Sequence, residues 1–258
     1  MIKIKILIYS FVTIFFCTTV FVSPVESTSI ISIRTAKDIF IGADSFVGDI
    51  SEYQVGTDCK IRQAGNVFFA ISGKPIVKVE GGNLDIFKIA KDIFSRNIPI
   101  QERITTYDLI VKWNLIKIID AIRHKSDIFN LFKRGDSIAV SITIVMKGDM
   151  FPVAYHIDHN VISSSEEPAM IKSVIINSTE RLNSTMDTII SDNDKKVCYP
   201  MMKDGTDDPT KIIRECIELI SKTNPRVKLP IDILRITQTG AEWIQRKPEC
   251  PEINQSFF

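Results

Sequence analysis

Histidine is scarce in this sequence, with three in 258 residues, and the five cysteines are scattered. That leaves too few clustered donors to propose a metal centre from composition. A long basic run is missing too. Lys plus Arg number 32 against 31 for Asp plus Glu, a formal net charge of +1, so the chain carries no electrostatic footprint for a nucleic-acid partner. No internal repeat or linker is visible. With 45% hydrophobic and 24% charged residues the composition is that of a globular protein, which excludes wholesale disorder, collagen and coiled coil. The length suffices for one large domain or two small ones.

One long apolar run is present, and it is confined to the start. Lys3 and Lys5 precede Ile6 to Val22, interrupted only by Ser10, Thr13, Thr18 and Thr19. Val25 and Ser27 then occupy the small-residue positions of a cleavage site. These are the three regions of a secretory signal peptide over residues 1–27, followed by a single domain over 28–258. The alternative is an uncleaved anchor, for which about 17 residues is at the short limit. Cleavage leaves no membrane anchor, equal numbers of basic and acidic side chains, and Thr28 as the new N-terminus.

Export changes how the cysteines read. Cys17 leaves with the signal, and Cys59, Cys198, Cys216 and Cys250 remain. Four is compatible with two disulfides in any of three connectivities, or with four free thiols. Cys59 therefore reads as a disulfide partner or buried thiol rather than a reactive one. Asn177, Asn183 and Asn254 open N-x-S/T sequons, a weak glycosylation signal.

Hydrophobic periodicity predicts strands at both ends and helices between. Ile30 to Arg34 and Asp38 to Ala43 alternate and are β-branched, which predicts a hairpin, and Val67 to Ser72 predicts a third strand closed by Gly73. Leu84 to Arg96 has a helical face. A longer helix follows, capped by Thr105 or Thr106, with Leu109, Ile110, Trp113, Ile116 and Ile119 to Ile122 on its buried side. Ser137 to Lys147 and Phe151 to Ile157 predict paired strands around Gly148-Asp149. From 158 to 206 only Val174 to Ile176 reads as a strand. Pro209 opens a helix to about Lys222, and Pro230 to Thr237 with Ala241 to Gln245 form a last hairpin. The order is that of an α+β domain of antiparallel sheets with segregated helices.

The residue exposed by cleavage gives this order a chemical meaning. An N-terminal threonine carries both a nucleophile and, in its own α-amine, a base of suitable strength. Such a unit needs a nearby cation, an anion to hold that cation, and a backbone N–H aimed at the developing oxyanion. Thr28 is followed by Asp44 at +16 and Lys60 at +32, and Gly73 ends the next strand. Thr-Ser-Ile-Ile-Ser-Ile-Arg (28–34), Asp-Ile-Phe-Ile-Gly-Ala-Asp-Ser (38–45), Lys60 and Ala-Ile-Ser-Gly (70–73) resemble the start of a proteasome β-type subunit or its bacterial HslV relative. In that family Thr, Asp and Lys have this spacing, and the oxyanion glycine carries over to Gly73 with a one-residue deletion.

The resemblance implies a four-layer αββα sandwich of N-terminal nucleophile hydrolases, with Thr28, Asp44, Lys60 and Gly73 catalytic. It also implies a peptide or amide substrate, a homo-oligomer and no cofactor. Ile71 matches a side chain that shapes the family's substrate pocket, which points to medium apolar substrate side chains. Asn224 and Val227 stand where the family usually places an Asp and a Ser that support the threonine. Ser163 to Ser165 and Ser173 to Ser184 are candidates for a further supporting serine. Two other readings remain open: an amidase or acylase on a small substrate, and a binding or assembly protein that has lost the reaction. His156-x-x-His159 is a metal-like pair without a third ligand, and reads as structural or exposed.

Overall fold

Alternation of β-branched residues is carried into strands at both ends of the chain. The computed structural model describes residues 29–47, 56–57, 59–73, 76–79, 82–123, 140–162, 170–177, 187–190, 197–198, 200–201, 208–224, 227–248, 250 and 252–253. The segment 1–27, Thr28, Ser163 to Ser165, Asn183, Ser184 and Asn254 lie outside them.

The first hairpin pairs β1 (Ile30–Arg34) with β2 (Ile39–Ala43), Arg34 opposite Ile39. Thr35 closes its turn: its amide and hydroxyl both donate to the Asp38 carbonyl, and its oxygen accepts from the Asp38 amide at 3.0 Å. Two short ribbons follow in part, β3 (Phe46–Val47) with β4 (Gly56–Thr57) and, further on, β7 (Ile76–Val79) with β8 (Gly82–Asp85). Between them β5 (Ile61–Ala64) pairs with β6 (Val67–Gly73).

The helices differ from the sequence reading at their starts. α1 (Ile86–Phe94) begins two residues after Leu84, because the Asp85 carboxylate accepts from the Lys88 amide at 2.9 Å and caps it there. α2 (Ile100–Arg123) begins well before Thr105, whose hydroxyl donates back to the Gln101 carbonyl inside the helix and caps nothing. Its buried stripe is Ile104, Tyr107, Val111, Leu115 and Ile118, while Leu109 and Trp113 are 60% exposed. Of the expected face, Ile119 is buried and Ile110 packs against the core, while Leu109 and Trp113 face outward because this helix has apolar residues on two sides. Trp113 is shielded by the Lys117 ammonium, 3.5 Å over its ring.

β9 (Val140–Met146) pairs with β10 (Val153–Ile162), which starts later than Phe151 because Gly148 donates to the Phe151 carbonyl in the turn. Two strands occupy the polar stretch, β11 (Met170–Asn177) and β12 (Asp187–Ile190). α3 (Pro209–Thr223) buries the predicted Ile212, Ile213, Cys216, Ile217 and Ile220, with Asp208 as its N-cap. β13 (Asp232–Ile236) and β14 (Ala241–Gln245) close the chain.

The protein is thus α+β with two five-stranded antiparallel sheets, in the orders β12-β1-β2-β13-β14 and β11-β10-β9-β6-β5. Strand alternation sorts the core into three clusters. Ile31, Ile33, Phe40 and Ile233 meet α3; Phe69, Ile71, Ile142 and Ile157 meet α1 and α2. Ile39, Ile41 and Leu234 of the first sheet meet Phe68, Ala70 and Val145 of the second. Two disulfides select one of the three connectivities, Cys59–Cys250 and Cys198–Cys216, the latter joining α3 to the segment before it.

Candidate functional site

Asp44 follows β2, where the chain leaves the sheet, and its carboxylate meets Lys60 just before β5. It is fully buried, and Lys60, the residue before β5, donates to its Oδ1 at 3.1 Å with only 5% of the lysine side chain exposed. Two charges at this depth are tolerable only if every lone pair has a donor. That condition is met by backbone groups. The Ser29 amide donates to Oδ1 at 3.1 Å, the Lys228 amide donates to Oδ2 at 3.2 Å, and the Asp44 amide returns a bond to the Ser29 carbonyl. Ser45 adds its amide and hydroxyl to the Lys228 carbonyl. The carboxylate thus ties together the start of β1, the start of β5 and the loop after α3.

Of the residues singled out from sequence, the structure brings Asp44 and Lys60 into direct contact. Thr28 lies outside the described residues; the residue after it, Ser29, is held by the same carboxylate oxygen as Lys60. Gly73 ends β6, the strand antiparallel to β5, so it sits at the same end of the second sheet as Lys60. Its φ of +89° is a backbone conformation that side-chain-bearing residues rarely adopt. Ile71 is 1% exposed and packs in the cluster beneath α1 and α2. Asn224 caps the C-terminus of α3, and Val227 is buried against that helix, so neither position brings a carboxylate or hydroxyl to Asp44. The loop reaches the site instead through the backbone of Lys228, which side-chain reasoning could not find.

A second polar group lies on the face of β9 and β10 that alternates away from the helices. Asp158 accepts from Ser141 and lies 2.9 Å from His156 Nε2, and His156 Nδ1 is 3.1 Å from the Thr143 hydroxyl. Burial by itself would raise the Asp158 carboxyl, but the hydrogen bond and charge of His156, with Ser141, bring it below its ordinary value. The sequence signal was the double alternation Ser141-x-Thr143 and His156-x-Asp158 on paired strands. His159 points to the opposite face, fully buried, with Nε2 3.0 Å from Asp108 of α2. The two histidines therefore cannot share an ion, and no group of three metal-binding side chains occurs among the described residues.

Among the described residues no helix is long and apolar enough to cross a membrane. No family model matches the chain, and no curated protein matches it.

Proposed function

We propose that this chain is an exported threonine-type N-terminal nucleophile hydrolase, cutting peptide or other amide bonds within a four-layer αββα sandwich. The observation that carries the reading is the buried Asp44–Lys60 pair, whose carboxylate also holds the amide of the residue following Thr28. A cation buried beside a carboxylate next to the start of β1 is what an N-terminal hydroxyl nucleophile needs. In the proposed reaction the Thr28 hydroxyl attacks the substrate carbonyl, its α-amine takes the proton, and that proton passes to the departing amine as the amide C–N bond breaks. Lys60 favours the alkoxide, Asp44 orients Lys60, and the Gly73 N–H holds the oxyanion until the acyl-enzyme forms and water releases it.

One observation favours a second reading, a binding or assembly protein on the same scaffold. Asn224 and Val227 carry no carboxylate, so neither position would give the amine an anionic support. The deciding experiment uses exported protein whose N-terminus is first verified by mass spectrometry to begin Thr-Ser-Ile-Ile. An epoxyketone, which requires both hydroxyl and α-amine, is expected to add to Thr28. Thr28→Ala abolishes the adduct, and Lys60→Ala slows it about 10² to 10⁴-fold. Asn224→Asp is expected to raise the rate. Correctly processed protein that forms no adduct and cleaves no peptide library is the binding protein.

A further inference from the structure

A second lysine–carboxylate pair is buried one strand away from the first. Asp232 opens β13 opposite Ala43, the neighbour of Asp44, and its Oδ2 lies 2.6 Å from Lys247 Nζ with 0% and 1% of the two side chains exposed. The Lys247 amide donates to Asp232 Oδ1 at 3.0 Å, and the Cys250 amide donates to the Lys247 carbonyl. The chain after β14 is therefore wound into a turn on Asp232, and Cys250 Sγ sits 3.6 Å from both Asp232 oxygens. From there the disulfide reaches Cys59, with Cα atoms 5.3 Å apart across 191 residues of sequence. Cys59 is the residue before Lys60, and both cysteines are buried.

We propose that Asp232, Lys247 and Cys250 together form a positioning device for Lys60, which makes the Asp44–Lys60 centre dependent on the oxidised state of Cys59 and Cys250. Lys60 precedes β5, so strand pairing fixes its backbone only on the C-terminal side. On the N-terminal side the Cys59 carbonyl accepts from Arg62 Nε at 3.3 Å, and the disulfide adds a tether whose far end is held by the Lys247–Asp232 pair. A lysine side chain has four rotatable bonds, and a small shift of its backbone moves the ammonium away from Asp44 Oδ1. Reduction by a dithiol places two electrons and two protons on the cysteine sulfurs, giving two thiols, while the dithiol leaves as its cyclic disulfide. The anchor then persists without its tether. Lys247, Asp232 and Cys250 act through Lys60 and touch no substrate. The consequence for catalysis rests on the hydrolase reading; the consequence for Lys60 does not.

The test is pulse acylation of the full chain with an amine-selective reagent, read lysine by lysine by peptide mass spectrometry. Lys211, whose side chain is 55% exposed, is the internal reference. Lys60 of the oxidised protein is expected to react far more slowly than Lys211. In Cys250→Ser its relative rate rises roughly tenfold, the size of a local opening, while circular dichroism keeps the folded signal. Lys247→Met, which keeps the disulfide and loosens its anchor, gives a smaller rise, and Cys198→Ser/Cys216→Ser gives none. If Cys250→Ser does not fold, dithiol treatment of the folded wild type followed by the same pulse decides. A folded disulfide-free form whose melting temperature falls but whose Lys60 protection is unchanged overturns the proposal, because the bond is then only a staple. Epoxyketone addition is followed in parallel. No adduct in any form sinks the hydrolase reading and leaves the Lys60 result standing, whereas an adduct rate that ignores the disulfide overturns the positioning role.

Discussion

Two of the places where this protein sets a carboxylate against a basic side chain are built differently. At the end of the first sheet, the Asp44 carboxylate accepts from Lys60 and from the backbone amides of Ser29 and Lys228, and backbone amides do not titrate. Between α2 and β10, Asp108 shares its oxygens between His159 and Lys112, at 3.0 and 2.7 Å, and burial pushes the titratable His159 imidazole below its ordinary value. The first arrangement holds a lysine–carboxylate pair in place with backbone donors from two other segments of the chain. The second ties a helix to a sheet with a strength that depends on pH. Burial and ion pairing are common to both; the chemistry of the remaining partners separates them.

The largest effect expected from this contrast is at the first pair. Lys60→Met leaves a buried carboxylate without its cation and should lower stability by about 3–5 kcal/mol, read from the urea midpoint at unchanged m. Asp44→Asn/Lys60→Met should recover most of it, since the apolar and amide replacements leave no lone charge. A single-variant loss below about 1 kcal/mol, the range of exposed pairs, would erase the distinction between this site and a solvated one.

An intermediate effect tests the packing that aims Asp44. Gly42 lies two residues earlier on β2, and a Cβ there would run into Ile213 Cγ2 of α3. Gly42→Ala should cost about 1–3 kcal/mol by overpacking. Combining it with Ile213→Ala should be less destabilising than the sum of the two singles, and additive losses would mean that α3 does not bear on this strand.

The smallest effect belongs to the second pair. Burial holds the His159 imidazole below its ordinary range, against the opposing pull of Asp108 and with a minor contribution from the Lys112 charge. The unfolded chain therefore binds this proton more readily than the folded one. Its contribution is fully present above the unfolded value of about 6.5 and is lost as pH falls through it, with a slope of at most about 1.4 kcal/mol per pH unit. Unfolding measured between pH 8 and 5 should show this decline, and His159→Phe should flatten it. A variant that declines as steeply as the wild type would assign the titration elsewhere.

Much of the fold was legible because its signals are local. The Thr35 turn, the alternation of β1, β2 and β9, and the α3 stripe behind Pro209 each arise from residues within a few positions of one another. Where the reading slipped, two local signals competed or none was strong. α2 offers apolar residues on both sides, and only contact with the second sheet chooses Tyr107, Val111 and Leu115 over Leu109 and Trp113. β11 is legible only at Val174 to Ile176 and β12 is not legible, since pairing with β10 and β1 supplies what their local pattern does not.

The candidate site divides in the same way. By itself the sequence determined the spacing of Thr28, Asp44 and Lys60, because strand length and side-chain period fix which residues follow β2 and precede β5. Only the tertiary structure decided what surrounds that pair. Lys228 reaches Asp44 through its backbone N–H, which every non-proline residue possesses and which no side-chain pattern reveals. The pairing of Cys59 with Cys250 joins residues 191 positions apart, and the winding of the chain on Asp232 brings them together where four cysteines alone allow three connectivities.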